Sequence, residues 1–324
     1  ILKKKLAEQN MLDLYNNIEA PLIEVLTRME KRGVGLDVIY LQELDVEVEQ
    51  QLRALEKNIY RMIGHAFNIN SPKQLSQVLF DELKLKPTKR GKTHHSTDAE
   101  ILNQLSQSHE VPKEIIKFRE CAKIKSTYLE PLVMLSQEGR IHTTFNQTST
   151  ATGRLSSSNP NIQSIPIRSD LGRKIRKGFV AAQGHKMISA DYSQIELRLL
   201  AHFSGDKNLL SAYAKGEDIH RHTASVVFGI SEDDVDDKQR RMAKVVNYGL
   251  IYGMSDYGLA QRFDIPQEEA TQFIQSYYDL YPDVAAWREM AVKSAEEKGY
   301  AETLFKRRRP LPDLLGRNYA LREF

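Results

Sequence analysis

From Asp37 to about Gly64, apolar residues return at three- and four-residue intervals: Leu41, Leu44, Val48, Leu52, Leu55 and Ile59. At 100° per residue they fall in one stripe along a long amphipathic helix. A single apolar stripe has to be covered by another, so this part of the chain is committed to helix-on-helix packing. The neighbouring segments agree. Residues 1–31 read as helical, with Gly33 as the expected C-cap. In "NSPKQLSQVLFDEL" Ser71 can cap and Pro72 suits the first turn. Further helices are expected near Ser96 to Gln107 and from about Pro112 to Leu135. Between them "KLKPTKRGKTHHST", broken by Pro87 and Gly91, reads as an exposed basic loop.

The pattern changes at Gly139. "RIHTTFNQT" has strand propensity, and "NPNIQSIPIRSDLG" is rich in turns with two proline breaks. "HKMISAD" reads as a short buried strand ending on Asp191. Helices are expected again from about Tyr192 to Gly299, and "YAETLFKRRRPLPDL" reads as a strand or hairpin. The expected fold class is therefore α/β but α-rich: a helical module, a mixed region, and a helical insertion that returns to it.

A chain of 324 residues can hold two or three domains, and 41% hydrophobic with 27% charged residues is a soluble globular balance. No apolar run approaches a membrane span, so no membrane partner is expected. The lone Cys121 excludes an internal disulfide framework and a zinc knuckle, and fits a reducing cytoplasm. "ILKKKLAEQN" looks like the middle of a helix, which suggests that something larger lies upstream. The net charge of +3 says less than its distribution. Cations gather in "KPTKRGK", "RSDLGRKIRK", "KQRRMAK" and "FKRRRP". Each alone is compatible with solvated surface; four together suggest phosphates along a path.

Three stretches offer chemistry. In "ISADYSQIELR" the Asp191 carboxylate and the next carbonyl, of Tyr192, form half of a hard-oxygen magnesium site, or Asp191 simply caps the following helix. In "RRMAKVVNYGLIYGM", Arg240, Lys244, Tyr248 and Tyr252 step by 40° each within about a 120° stripe. Cations at one end and aromatic rings beyond suit a nucleoside triphosphate, against the alternative of a core helix with a cationic start. Gly249 and Gly253 are read as leaving room for a base or a backbone. "TATGRLSSSNPNIQ" places Arg154, Asn161 and Gln163 where they can donate to bases and sugars. His220, in "GEDIHRHTA", has no metal-ligand pattern around it.

"TATGRLSSSNPNIQSIPIR", "ADYSQIELRLLAHFSGD", "DIHRHTASVVFG" and "RRMAKVVNYGLIYGMSDYGLA" together resemble the bacterial DNA polymerase I family, family A. The resemblance extends through "IKSTY" and "RRRPLPD" and so covers essentially the whole chain. It implies a right-hand polymerase fold with a helical thumb (18–138), a first part of the palm (139–205), helical fingers (206–299) and a palm return (300–324). Residues 1–17 resemble the tail of an exonuclease-like domain, and the antiparallel-sheet palm is incomplete.

The implied partners are primer-template DNA and deoxynucleoside triphosphates, and the implied cofactor is a pair of Mg2+ ions. Asp191 and Lys244 are the implied catalytic residues, with Asp191 and the Tyr192 carbonyl as metal ligands. Arg240, Lys244 and His220 would grip the triphosphate, and Gln194 and Glu196 would line the sugar pocket, Glu196 as the gate against a 2′-hydroxyl. Tyr248 would pack on the incoming sugar and Tyr252 beside the templating base. Tyr248 stands where many family members have phenylalanine; the resemblance implies that tyrosine forms accept dideoxynucleotides. Arg154, Asn161 and Gln163 would contact the duplex near the primer end. Lys125, Ser126 and Thr127, with Lys89, Arg90 and Lys92, would hold its backbone.

The family's second metal-binding aspartate lies in a His-Asp-Glu motif that these residues do not contain, so the chain by itself is expected to be inactive in bond formation. A non-catalytic primer-template binding fragment and a single-subunit RNA polymerase are the alternatives; the bulk of Glu196 opposes the latter. A monomer in the bacterial cytoplasm, at the nucleoid, completes the expectation.

Overall fold

The computed structural model describes residues 1–86, 95–314 and 316. The chain divides between Ile188 and Ser189 into two compact units. The segment expected as the first part of the palm, 139–205, contributes to both.

The first unit opens with α1 (Leu2–Glu8), α2 (Leu12–Leu14) and α3 (Ala20–Arg32), the last two joined by a π-helical turn. Gly33 ends α3 as expected, and β1 (Val34–Gly35) leads into α4 (Val38–Ile63). The Asp37 carboxylate caps α4 by accepting from the Tyr40 amide. Its expected stripe is the spine of the unit: Leu41, Leu44, Val48 and Ile59 are at most 3% exposed. Leu52 and Leu55, midway along, pack against two separate apolar clusters and so link them. Ser71 caps α5 (Pro72–Ser76), which runs on through a π-helical stretch to Glu82. There follow α6 (Ala99–Ser106), α7 (Glu110–Ile124), a π-helical stretch Lys125–Leu129 and α8 (Glu130–Met134). The strands are short. β2 (Arg140–Ile141) pairs antiparallel with β1, and β3 (Thr144–Asn146) with β4 (Ser156–Ser158). α9 (Asp170–Lys177) follows. The Tyr128 hydroxyl donates to the Ser164 carbonyl at 2.6 Å, which pins the loop after β4 to the helical core.

The strand expected over "HKMISAD" is not formed. Residues 185–191 have no strand partner among the described residues, and Ile188 is 86% exposed. Strand propensity is realised only where another strand accepts its amides, and none does so here. Asp191 therefore lies on exposed, irregular backbone.

The second unit is helical: α10 (Ile195–Ser204), α11 (Lys207–Lys215), α12 (Ile219–Phe228), a 3₁₀ turn Glu232–Asp234, α13 (Asp237–Gly249), α14 (Asp256–Phe263), α15 (Gln267–Leu280) and α16 (Pro282–Lys298). The expected hairpin is present as β5 (Tyr300–Glu302) against β6 (Arg308–Pro310). One apolar cluster serves all of these helices, with Tyr277 and Tyr281 at its centre. Asp206 joins two of them, and its neighbour Asn208 ties in a third. It is 1% exposed, and its Oδ1 accepts from the Asn208 and Leu209 amides at the start of α11. Its Oδ2 accepts from the Asp283 amide at the start of α16, and the Asn208 side chain donates to the Leu280 carbonyl at the end of α15. Asp206→Ala is expected to destabilise this unit by about 3 kcal/mol, because a cap is lost and buried amides are left unpaired. Asp206→Asn, which keeps one acceptor oxygen, is expected to lose clearly less. Urea unfolding of both variants checks this.

Candidate functional site

Helix α13 begins with a capping box: the Asp236 carboxylate accepts from the Gln239 amide, and the Gln239 side chain accepts from the Asp236 amide. Together with Asp237 in the first turn, these groups offset the cations that would otherwise oppose the helix dipole. Met242, Ala243 and Val246 bury the opposite face. Arg240, Lys244 and Tyr248 therefore do share one side of a formed helix, as their spacing requires.

Tyr252 does not belong to that helix. α13 ends at Gly249, and a tighter turn follows, in which the Met254 amide donates back to Gly249 and the Gly253 amide to Leu250. Gly253 closes the turn at φ +80°, a conformation costly for a residue with a Cβ. A Cβ on Gly249 would meet the end of the Met254 side chain at 2.7 Å. Both glycines shape the end of the helix, and the space beside Gly253 is open. Tyr252 is 65% exposed in this turn.

Arg240 is aimed by a residue that spacing did not single out. Its Nε donates to Asp218 Oδ2 at 2.8 Å, while Asp218 Oδ1 accepts from the His220 and Arg221 amides as the cap of α12. Burial alone would raise the Asp218 carboxyl, but the Arg240 guanidinium and those amides outweigh it and hold it below the usual carboxylate range.

His220 is 2% exposed. Burial first, and then the cationic Arg240 and Lys244, push its pKa down to about 4 against the pull of Asp218, so the ring is neutral near pH 7. Its Nδ1 lies 2.9 Å from the Asn247 amide nitrogen. An amide nitrogen only donates, so Nδ1 accepts and the proton sits on Nε2. Asn247 continues to Thr223 (3.3 Å), and Thr223 to the Tyr281 hydroxyl (3.2 Å); all three are at most 1% exposed. This buried polar chain fixes the imidazole and its tautomer. Asn247 was not singled out from the sequence, although it is a lone polar residue on the apolar face of α13.

Tyr248 packs its ring 5.7 Å from that of His220. Burial raises its phenol, and the carboxylates of Glu196 and Asp191 add to the effect, so the hydroxyl stays protonated. Glu196 lies in the first turn of α10, and Gln194 precedes it in a left-handed conformation with its Oε1 accepting from the Tyr213 hydroxyl at 3.2 Å. Arg198 stacks on the other side of that link, 4.6 Å from the Tyr213 ring centre. The unit thus brings Arg240, Lys244, His220, Tyr248, Glu196 and Asp191 into one electrostatic neighbourhood. Asp191 and Tyr192 are exposed residues, and a carboxylate and a carbonyl are the oxygens a hard cation takes. Among the described residues Asp191 does not belong to a cluster of three or more His, Cys, Asp or Glu ligand atoms.

In the first unit Arg154, Asn161 and Gln163 are exposed on the loops flanking β4. Asn161 Oδ1 accepts from the Ser157 hydroxyl and the Gln163 amide, so an outward contact from Asn161 would come from its amide nitrogen. Lys125 departs from the expected outward role. Its ammonium is drawn inward to Asp45 at 2.8 Å, with Glu130 at 3.3 Å and Glu49 at 3.8 Å. Ser126 and Thr127 are exposed instead and line a groove of about 800 Å3 with Thr97, Arg119 and Lys123. Lys89, Arg90 and Lys92 lie outside the described residues. Three of the basic clusters are partly neutralised: Lys174 by Glu47, Arg240 by Asp218, and Lys306 and Arg308 by Glu302.

The family model of DNA polymerase family A matches residues 38–324. The chain belongs to DNA polymerase family A. It is 50% identical over 329 residues to the thermostable DNA polymerase I of Thermus thermophilus, a match that takes in 99% of this chain and 39% of that protein. It is 47% identical to DNA polymerase I of Geobacillus stearothermophilus, over 96% of this chain and 36% of the relative. The chain thus spans well under half the length of these relatives. A solved structure of the polymerase domain of Pol1 from M. smegmatis, in complex with DNA primer-template and dNTP, matches with a TM-score of 0.92. It is 41% identical and covers 99% of this chain and 57% of that one. The α-rich family A polymerase fold is therefore the fold of this chain. No helix among the described residues is long and apolar enough to cross a membrane.

Proposed function

We propose that this chain carries the nucleotide-selecting and primer-holding parts of a DNA-directed DNA polymerase, which adds deoxynucleotides to a primer 3′-hydroxyl in replication and repair, in the bacterial cytoplasm at the nucleoid. The observation that carries this reading is the face of α13. Arg240 is held by Asp218, Lys244 is exposed one turn on, and a protonated phenol follows beside a neutral imidazole. Two cations on one helix face, Arg240 held by Asp218 and Lys244 exposed, answer the triphosphate charge. His220, neutral and protonated on Nε2, adds a hydrogen-bond donor and no charge. Glu196, beside Tyr248, supplies the bulk that excludes a 2′-hydroxyl. Mg2+, held in part by Asp191 and the Tyr192 carbonyl, would supply electrostatic stabilisation of the transferred phosphoryl group. The first unit would follow the duplex, with Arg154 and Gln163 near the primer end and Ser126 and Thr127 along its backbone.

The test is template-directed incorporation of one nucleotide by a polymerase that has these residues and the family's complete palm. Deoxynucleotides are expected to be used and ribonucleotides rejected; equal use of both would favour an RNA polymerase, and no incorporation a binding fragment. For the chain alone, primer-template DNA is expected to bind without sequence preference. The log-log slope of affinity against salt should be roughly −0.9 per neutralised phosphate. A salt-insensitive affinity in a fluorescence anisotropy titration would refute the phosphate path.

A further inference from the structure

We propose that Glu217, His222 and Glu232 form a site for one divalent transition-metal ion of the zinc class. The three come from separate pieces of the second unit: the loop between α11 and α12, the first turns of α12, and the 3₁₀ turn that follows it. Their ligand atoms all lie within 4.8 Å of one another. His222 Nδ1 is 2.9 Å from Glu232 Oε1 and 3.8 Å from Glu217 Oε2. An ion bound at about 2.0–2.2 Å to nitrogen and oxygen needs ligand atoms roughly 3.0–3.5 Å apart. The observed separations bracket that spacing, so small side-chain rotations would admit the ion.

The backbone beneath each ligand is already fixed. The Glu217 amide donates to the Ala212 carbonyl, and the His222 amide to that of Asp218. Arg221 Nη1 donates to the carbonyls of Glu232 and Val235 at 2.8 and 2.9 Å, which ties the 3₁₀ turn to α12. Lys215 approaches Glu217 through its other oxygen, Oε1, at 3.6 Å, which leaves Oε2 to face the histidine. The three side chains are 24–40% exposed, open enough for an ion and a water to enter, yet partly shielded. One imidazole nitrogen among two carboxylates favours zinc, cobalt or manganese over magnesium. Glu217 adjoins Asp218, so the ion would tether the loop that aims Arg240 at the proposed nucleotide face.

The alternative is a plain His222–Glu232 ion pair, and the two are separable. The chain, stripped with a chelator and kept in excess Mg2+ to occupy hard-oxygen positions, is titrated with Co2+ and then with Zn2+. One equivalent of Co2+ is expected to bind with visible d–d absorption, Zn2+ to displace it, and the thermal midpoint to rise with free Zn2+. Glu217→Gln and His222→Gln, checked for retained helicity, are each expected to weaken Co2+ binding at least about tenfold. Absence of saturable binding, with no midpoint shift in the unsubstituted chain, overturns the proposal. So does binding that neither substitution weakens.

Discussion

Lys244→Ala is expected to lower the efficiency of nucleotide incorporation by about tenfold or more while leaving DNA affinity largely intact. Lys244 is exposed on α13, one turn beyond Arg240 and on the same face. A charge-assisted hydrogen bond contributes about 1.5–3 kcal/mol, and 1.4 kcal/mol is about tenfold in rate. Arg240→Ala removes a second cation of the same face and should cost as much in incorporation, but it differs in one respect. It also takes the guanidinium from Asp218, the cap of α12, and so is expected to lower the thermal midpoint where Lys244→Ala does not. Single-nucleotide incorporation at varied nucleotide concentration, in a polymerase with the complete palm, gives the first quantity; thermal unfolding gives the second. Unchanged incorporation in both variants would remove this face from the site.

Tyr248→Phe is expected to turn a polymerase that dideoxynucleotides readily terminate into one that resists them. The phenol is partly buried, and burial with the nearby Glu196 and Asp191 carboxylates keeps it protonated and able to donate. With phenylalanine at this position, the nucleotide's own 3′-hydroxyl has to supply a hydrogen bond near the triphosphate. A dideoxy substrate leaves that bond unmade. An unmet polar group in a closed site costs about 1–3 kcal/mol, or roughly five- to a hundredfold and more in rate. The Tyr248 hydroxyl would fill the vacancy. Deoxy and dideoxy incorporation are compared for both forms; equal discrimination by the two would show that the hydroxyl takes no part.

Where the sequence read well, the signal was local. The α4 stripe, the Ser71 cap and the closing hairpin each depend on residues a few positions apart. The cation–phenol face of α13 depends on helical period alone, and Arg240, Lys244 and Tyr248 keep it in the folded chain. Tyr252 fell off because the helix stops at Gly249, and periodicity cannot say where a helix stops. "HKMISAD" misled for a different reason: its apolar run satisfies a strand pattern, but a strand exists only where a distant segment pairs with it.

By itself, then, the chain determined its helical spine, its fold family and the residue types on one face of α13. Local spacing and long motifs carry that information without reference to anything distant. Tertiary structure alone decided what each charged group is able to do. Lys125 turns inward because Asp45 lies 80 residues earlier on a helix packed beside it. Arg240 is aimed by an aspartate 22 residues before it. His220 is neutral because the fold buries it near the cationic Arg240 and Lys244, while the buried chain of Asn247, Thr223 and Tyr281 holds its ring in place. Charge, tautomer and orientation depend on desolvation and on partners brought from elsewhere in the fold, and those exist only once the chain has packed.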